Sequence, residues 1–405
     1  MIAGRWQLPV HSPVGMDMLA AGAWAAVHPR AARQASASLT GLLTRSLAAR
    51  SVVLTDSGTS ALVIALRALV PPGGAVALPA WGCIDLTAAA AFAGVRVRLY
   101  DLDPLTLGPD LDSLDRTLAR GVAAVVVTHL YGYPADVVAV RALASRFGVP
   151  VIEDAAQRAG ATLHGCELGS FGDIAVLSFG RGKGTTGGSG GALAVRTPEM
   201  ERGIASFGAH LARSRGARPL AMLAAQWMLG RPALYGGPAS IPGLRLGEMV
   251  YRPARRPAAI AGTAAAALMR AIRRDPAEVR DRRANAVRLT AIAATRRGME
   301  VVRPVSGAEP GYLRFVVRNA RADHAPAPRL GILRGYPATL DEHEPMRPLL
   351  MHGEVAGAGA RVLRDTAFTI PTHSMVSTSD LAGITTWLGG LRYESRDEAG
   401  TTIRD

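Results

Sequence analysis

Lysine is almost missing from this chain. Of its 405 residues 46 are basic, and all of these are arginine except Lys183. For surface charge the exchange matters little, but a guanidinium stays protonated and cannot form an imine, whereas a desolvated lysine amine can act as a nucleophile. Covalent amine chemistry on a side chain is therefore confined to Lys183, unless that residue is only a surface survivor of compositional drift. Cysteine is nearly as scarce. Cys83 and Cys166 lie far apart and outside any CxxC or Cys/His cluster, which excludes a disulfide framework and a zinc site and fits a reducing cytoplasm. The opening segment MIAGRWQLPVHSPVG lacks the continuous apolar core of a signal peptide, and no run of about 18 apolar residues offers a spanning helix. A soluble, cytoplasmic protein is the expectation. The net charge of +14 suits anionic small molecules such as nucleotides and equally nonspecific binding to nucleic acid or acidic lipid, so alone it decides nothing; no zinc finger, helix-turn-helix or aromatic-interleaved basic strand supports nucleic acid, which is not expected.

What is present is enough apolar residue, 49%, for one large domain and a smaller one. Between about residues 50 and 196, short β-branched runs alternate with Ala/Leu-rich stretches, the pattern of an α/β domain with a mostly parallel sheet. The runs predict strands at 51–55, 75–79, 95–100, 123–129, 150–154, 174–179 and 192–196, with helices at 60–69 and 135–147. Such sheets place ligands beyond the carboxyl ends of their strands. An apolar insertion follows, about 205–245, whose stretch 218–235 reads best as a packed helical pair, with a substrate lid, a dimer interface or a membrane-contact helix as other uses. Helices at 258–272 and 276–294, strands at 312–318 and 368–371 and a helix at 379–391 complete the reading. The predicted division is a large domain over 1–250, interface helices with a small C-terminal α/β domain over 251–393, and a polar tail over 394–405.

Three segments carry candidate chemistry. In LTDSGTSAL a strand ends at Thr55 and a helix starts within Ser57-Gly58-Thr59-Ser60; free amides and the helix dipole there cradle phosphate, although SGTS is also an ordinary helix cap. In VPVIEDAAQ a buried strand ends in Glu153 and Asp154, and a carboxylate at that place can hold a protonated pyridine nitrogen or simply cap a helix. In DIAVLSFGRGKGTTGGSGGALAV a glycine-rich loop between two strands carries Lys183, and Ser178 supplies a hydroxyl. Gly184 after the lysine breaks the nucleotide P-loop pattern. His129 ends a strand near these segments, where it can touch a ligand or serve the structure.

Together these segments, with HLYGYPADV, LRGYPATL and FTIPTHSMVSTSDL, resemble the DegT/StrS family of (nucleotide-)sugar aminotransferases over roughly residues 45–390. The resemblance implies a fold-type-I pyridoxal-phosphate-dependent transferase working as a homodimer. It implies that Lys183 holds pyridoxal 5'-phosphate as a Schiff base and shuttles a proton, that Asp154 pairs with the pyridinium nitrogen, and that Gln157 contacts the ring oxygen. Gly58, Thr59, Ser60 and Ser178 would hold the phosphate. The family's dehydratase branch has histidine in place of the lysine. The chain departs from the pattern at Cys83, where an aromatic ring usually stacks on the cofactor, leaving either Trp81 as the substitute or a thiol facing the ring. Gly184 and Val250 replace asparagines, the latter one donated across the dimer, with Tyr251 or Arg252 available to compensate. Arginines 252, 255, 256, 273, 274, 280, 282 and 283 offer forks for a substrate diphosphate, with no single one singled out. The implied reaction is amino transfer from glutamate or glutamine to a keto-sugar nucleotide in polysaccharide or glycoconjugate biosynthesis. Another fold-type-I reaction, on an amino acid or a lipid-linked sugar, and a non-catalytic regulatory or scaffold role are the alternatives.

Overall fold

The computed structural model describes residues 5–390, apart from 213, 215, 242, 244–248 and 320–323, together with the strand pair Ser395–Arg396 and Thr402–Ile403. Most of the expected polar tail, and part of the expected insertion over 205–245, thus lie outside the described residues.

Seven strands form the central sheet: β1 (Ser51–Thr55), β2 (Ala75–Pro79), β3 (Arg96–Tyr100), β4 (Ala124–Thr128), β5 (Val151–Asp154), β6 (Ile174–Ser178) and β7 (Gly191–Val195), in the order β1-β7-β6-β5-β4-β2-β3. Only β7 runs against its neighbours, β1 and β6. The central strands read as uninterrupted apolar runs because both faces are covered; every residue of β4 is buried. Helices supply the cover. The helix α1 (Met16–Val27) and α2 (Pro29–Ser46) pack with α10 (Gly262–Ala271), and α2 also lies on β1, while α3 (Gly58–Leu69) sits over β6 and β7. The stretch expected to start a helix at Ala258 instead pairs as strand: the Asp56 amide donates to Ala258 and the Ala259 amide to Ala212, delaying the helix to Gly262. The apolar insertion forms two helices, Ala217–Leu229 and Pro232–Ala239, the first resting on α1 and α10.

A second, antiparallel sheet is built from Met299–Val301, Phe315–Asn319, Ala367–Ile370 and Leu333–Arg334 in that order. It packs against the helix Asp275–Ala294 and the helix Thr378–Leu388 around Phe315, Phe368, Ile384 and Trp387. Its central strand begins at Phe315 rather than at Tyr312, because Tyr312 sits in the left-handed region at φ 45°.

Two carboxylates fasten this lobe to the edge of the central sheet. Glu354 accepts from the Leu99 amide at 2.9 Å and pairs with Arg98 and Arg120. Asp101 accepts from the amides of Gly359 (2.9 Å) and Ala360 (2.7 Å), at the start of a helix whose own cap residue, Gly357, has no side chain to offer. A carboxylate in that position satisfies orphan amides and complements the helix dipole. Asp101→Ala is therefore expected to lower the unfolding free energy by about 1–2 kcal/mol, read as a shifted midpoint in urea denaturation with an unchanged slope.

Candidate active site

The carboxyl ends of β5 and β6 face a narrow cleft of about 50 Å³ lined by Gly58, Thr59, Cys83, Thr128, His129, Asp154, Gln157, Ser178 and Lys183, among others. Alternation along β5 sends its last two residues to opposite sides. Glu153 points away from the cleft and is fully buried, accepting from the amides of Gly169 (2.6 Å), Phe171 (2.8 Å) and Gly172 (2.8 Å). His129 completes its shell at 2.9 Å. The Ala135 amide donates to His129 Nδ1 at 3.0 Å, so the ring hydrogen is on Nε2 and is donated to Glu153. Burial opposes ionisation of Glu153, but His129 and these amides outweigh it and hold the carboxyl below its usual range. His129 is thus a structural histidine, although its edge reaches the cleft.

Asp154 faces the cleft. Among the described residues it accepts one hydrogen bond, from the Ala156 amide at 3.0 Å. Burial pushes its carboxyl above the ordinary range; that amide and the charge of Lys183 pull the other way without cancelling it. A desolvated carboxyl with a single neutral partner is a site prepared for a cation.

Lys183 stands in the loop between β6 and β7. Gly184 beside it has φ +83° and its missing Cβ would meet the Arg282 guanidinium at 3.3 Å, so this position calls for a residue at ease in the left-handed region. The phosphate-side wall is the start of α3. A Cβ on Gly58 would come within 2.7 Å of the Ser178 Cβ, which is why the helix opens with glycine there. Ser57 caps the helix through the Ser60 amide at 3.1 Å and donates to the Ser60 hydroxyl at 3.0 Å. Ser60 is therefore used in the cap and does not line the cleft, whereas Gly58, Thr59 and Ser178 do.

Gln157 lies at the junction with a second, larger chamber of about 910 Å³, whose lining it shares together with Cys83. Both ends of its amide are occupied: Oε1 accepts from the Tyr131 amide at 2.7 Å and Nε2 donates to the Tyr336 hydroxyl at 2.7 Å. Tyr131, in the left-handed region at φ 55°, stacks on Tyr336 with ring centroids 5.1 Å apart. Trp81 supports this pair from behind. It is fully buried, donates from Nε1 to the Tyr336 carbonyl at 2.8 Å and meets the Tyr336 ring edge-on at 5.0 Å. It lines neither cavity, so the expected stacking role for Trp81 is corrected: packing beneath Tyr336 keeps it from the cleft, and Cys83 occupies the wall. Burial pushes the Cys83 thiol up to about 12, which keeps it neutral. None of the eight arginines considered for a diphosphate lines either cavity; Arg282 faces Glu278, Arg283 pairs with Glu309 and Arg274 with Asp17. The arginines that do are Arg181, Arg314 and Arg334. Val250 lies beside the chamber-lining Met249 but is not in the lining.

Residues 36–221 match the model of the DegT/DnrJ/EryC1/StrS aminotransferase family. Over this segment, a little under half of the chain, the protein is similar to that family. It is 36% identical over 156 residues to the UDP-N-acetyl-3-dehydro-alpha-D-glucosamine 3-aminotransferase of Acidithiobacillus ferrooxidans, covering 38% of this chain and 42% of the relative. It is 39% identical over 149 residues to the L-glutamine:2-deoxy-scyllo-inosose aminotransferase of Streptoalloteichus tenebrarius, covering 36% and 35%. These matches span about two fifths of the curated relatives' length. The fold extends over nearly all of the chain: an aminotransferase structure from Streptoalloteichus hindustanus superposes with a TM-score of 0.70 at 26% identity, covering 96% of this chain and 98% of that one. One from Psychrobacter cryohalolentis gives 0.72 at 20%, covering 94% and 98%. The protein thus has the fold-type-I α/β architecture that the resemblance implied. Among the described residues no helix is long and apolar enough to cross a membrane, and no cluster of metal-binding side chains occurs.

A raised Asp154 destabilises the fold once pH exceeds its unfolded value, because the native state resists ionisation there. Asp154→Asn is therefore expected to raise the melting temperature at pH 7 in protein without added cofactor. The difference should shrink to nothing below about pH 4, where both side chains are neutral; equal melting temperatures at pH 7 would contradict the assignment.

Proposed function

We propose that this protein is a pyridoxal-phosphate-dependent aminotransferase that moves an amino group from glutamate or glutamine to a keto-sugar nucleotide, in polysaccharide or glycoconjugate biosynthesis. One observation carries the reading: the only lysine of the chain, a desolvated strand-end aspartate and the start of a helix meet in a single cleft. The residues fit the cofactor. Lys183 would hold it covalently, Asp154 would receive its cationic ring nitrogen, and Gly58, Thr59 and Ser178 would take its phosphate, with the helix dipole in support. When bound, pyridoxal phosphate supplies an electron sink for the charge left when a hydrogen is removed from the α-carbon.

The chain's own part is positional and protolytic. Lys183 Nζ takes that hydrogen as a proton from the donor and returns it at the neighbouring atom, a general-acid/base role. With the cofactor bound, Asp154 would be held ionised by its cationic ring nitrogen, and Glu153 with His129 keeps the strand end from shifting. Cys83, as a neutral thiol, adds no charge to the wall. Donor and acceptor use the cleft in turn, so ping-pong kinetics follow. We further propose a homodimer, supported by the apolar face that α1 turns outward through Met16, Trp24 and Val27, and a reducing cytoplasmic setting, in keeping with the free Cys83 and Cys166.

A second reading, amino transfer to a lipid-linked sugar, is favoured by the apolar walls of the chamber, which include Leu8, Val10, Met222, Leu229 and Met249. Turnover of keto-sugar nucleotides against their lipid-linked counterparts separates the two. For the cofactor, intact-mass spectrometry after borohydride reduction is expected to show one adduct on the wild type and none on Lys183→Ala. That variant should also lose at least about a thousandfold in transamination, since both its anchor and its acid/base are gone. An adduct surviving on Lys183→Ala would move the chemistry elsewhere.

A further inference from the structure

The larger chamber is walled by three stretches distant in sequence: the N-terminal segment Leu8–Ser12, the helices of the insertion, and the C-terminal lobe from Leu313 to Tyr336. Among the described residues its charged lining is Arg181, Arg314 and Arg334, beside the imidazole of His11, with no aspartate or glutamate. Arg314 is unlike the other two. Among the described residues two arginines are buried to this degree, Arg282 and Arg314. Arg282 has Glu278 at 3.5 Å. Arg314 has no carboxylate within ion-pair reach among the described residues, and its guanidinium donates only to neutral carbonyls: Pro9, Gly331 at 2.7 Å and Thr369 at 2.5 Å.

A guanidinium has five N–H donors, so the fork is not used up, and its Nε is buried without a partner. Two more orphaned polar atoms, Ser12 Oγ and Gln226 Nε2, belong to residues of the same lining. Burial without a counter-charge draws the guanidinium down to about 10. The Arg314 amide donates to the Tyr131 carbonyl at 3.3 Å, which ties it to the residue that holds Gln157 at the junction with the Lys183 cleft.

We propose that Arg314 is the anion anchor of this chamber, holding a substrate oxyanion beside Tyr131 at the entrance to the Lys183 cleft. A buried cation with only neutral carbonyls as partners, on a wall without acids among the described residues, gains a counter-charge from an incoming carboxylate or phosphate. That oxyanion comes either from the carboxylate of the amino donor or from the phosphate of the acceptor. The role in transamination rests on the aminotransferase reading; the anion site itself does not.

The test uses the cofactor-loaded full chain with 2-oxoglutarate and inorganic phosphate as probes, measured by calorimetric titration. Wild type is expected to bind at least one of them, and Arg314→Gln to weaken that binding by about tenfold or more, the value of a charge-assisted hydrogen bond, while Arg314→Lys restores part of it. A raised KM for glutamate in the donor half-reaction assigns the carboxylate; a raised KM for the keto-sugar nucleotide alone assigns the phosphate. Unchanged affinity for both probes in a folded Arg314→Gln overturns the inference. If that variant does not fold, hydrogen exchange on the wild type decides: the bound probe must slow the amides of Val10–Ser12 and Leu313–Arg314, and no protection by either probe overturns it. Arg314-dependent binding without turnover on any acceptor leaves the anchor standing and removes the aminotransferase reading; turnover that ignores Arg314 does the reverse.

Discussion

Everything at the cleft depends on how the end of β5 is held. Two adjacent carboxylates there face opposite ways, and the one turned from the cleft, Glu153, accepts from three backbone amides and the imidazole of His129. A buried carboxylate with four donors is inexpensive to keep ionised and hard to displace. Its network spans β4, β5 and the 169–172 loop, so the strand end cannot rotate without breaking several buried bonds. Asp154 is thereby left facing the cleft with one amide for company, and that shortage of partners makes it useful.

The same division between satisfied and unsatisfied groups recurs across the second cavity. Trp81, Tyr336, Tyr131 and Gln157 form a closed set in which the indole, phenol and amide each have a partner, giving a rigid partition between cleft and chamber. On the far side of that partition the polar atoms are not all satisfied: Ser12 Oγ, Gln226 Nε2 and Arg314 Nε, all of chamber-lining residues, lack partners. Rigidity where geometry must be kept and unsatisfied polarity where a ligand must be met are the two halves of a prepared site.

Much of the central sheet was legible in advance. All seven predicted strands formed within a residue or two of their expected limits, because strands buried on both faces read as unbroken β-branched runs between Gly and Pro signals. Less legible were α1 and α2, which have no strand beside them to frame the pattern, and the start of α10, where Ala258 and Ala259 favour helix locally but are drawn into pairing with segments far away in the chain. Gly58, Thr59, Asp154, Gln157, Ser178 and Lys183 were named from the segments that now line the cleft. Ser60 and Trp81 were misplaced, since spacing along a chain does not say whether a hydroxyl is spent in its own cap or a ring is turned beneath a neighbour.

The sequence alone determined that amine chemistry could sit only at Lys183, and it set the order in which turn, strand-end acid and glycine loop would meet; both follow from residue identity and local pattern. Tertiary structure decided which of two carboxylates faces the cleft, that a thiol rather than an indole lines it, and that one arginine among the described residues, Arg314, lies buried without an acid. The physical reason is that desolvation and partner satisfaction are set by groups contributed from distant segments, so no single stretch of the chain contains them.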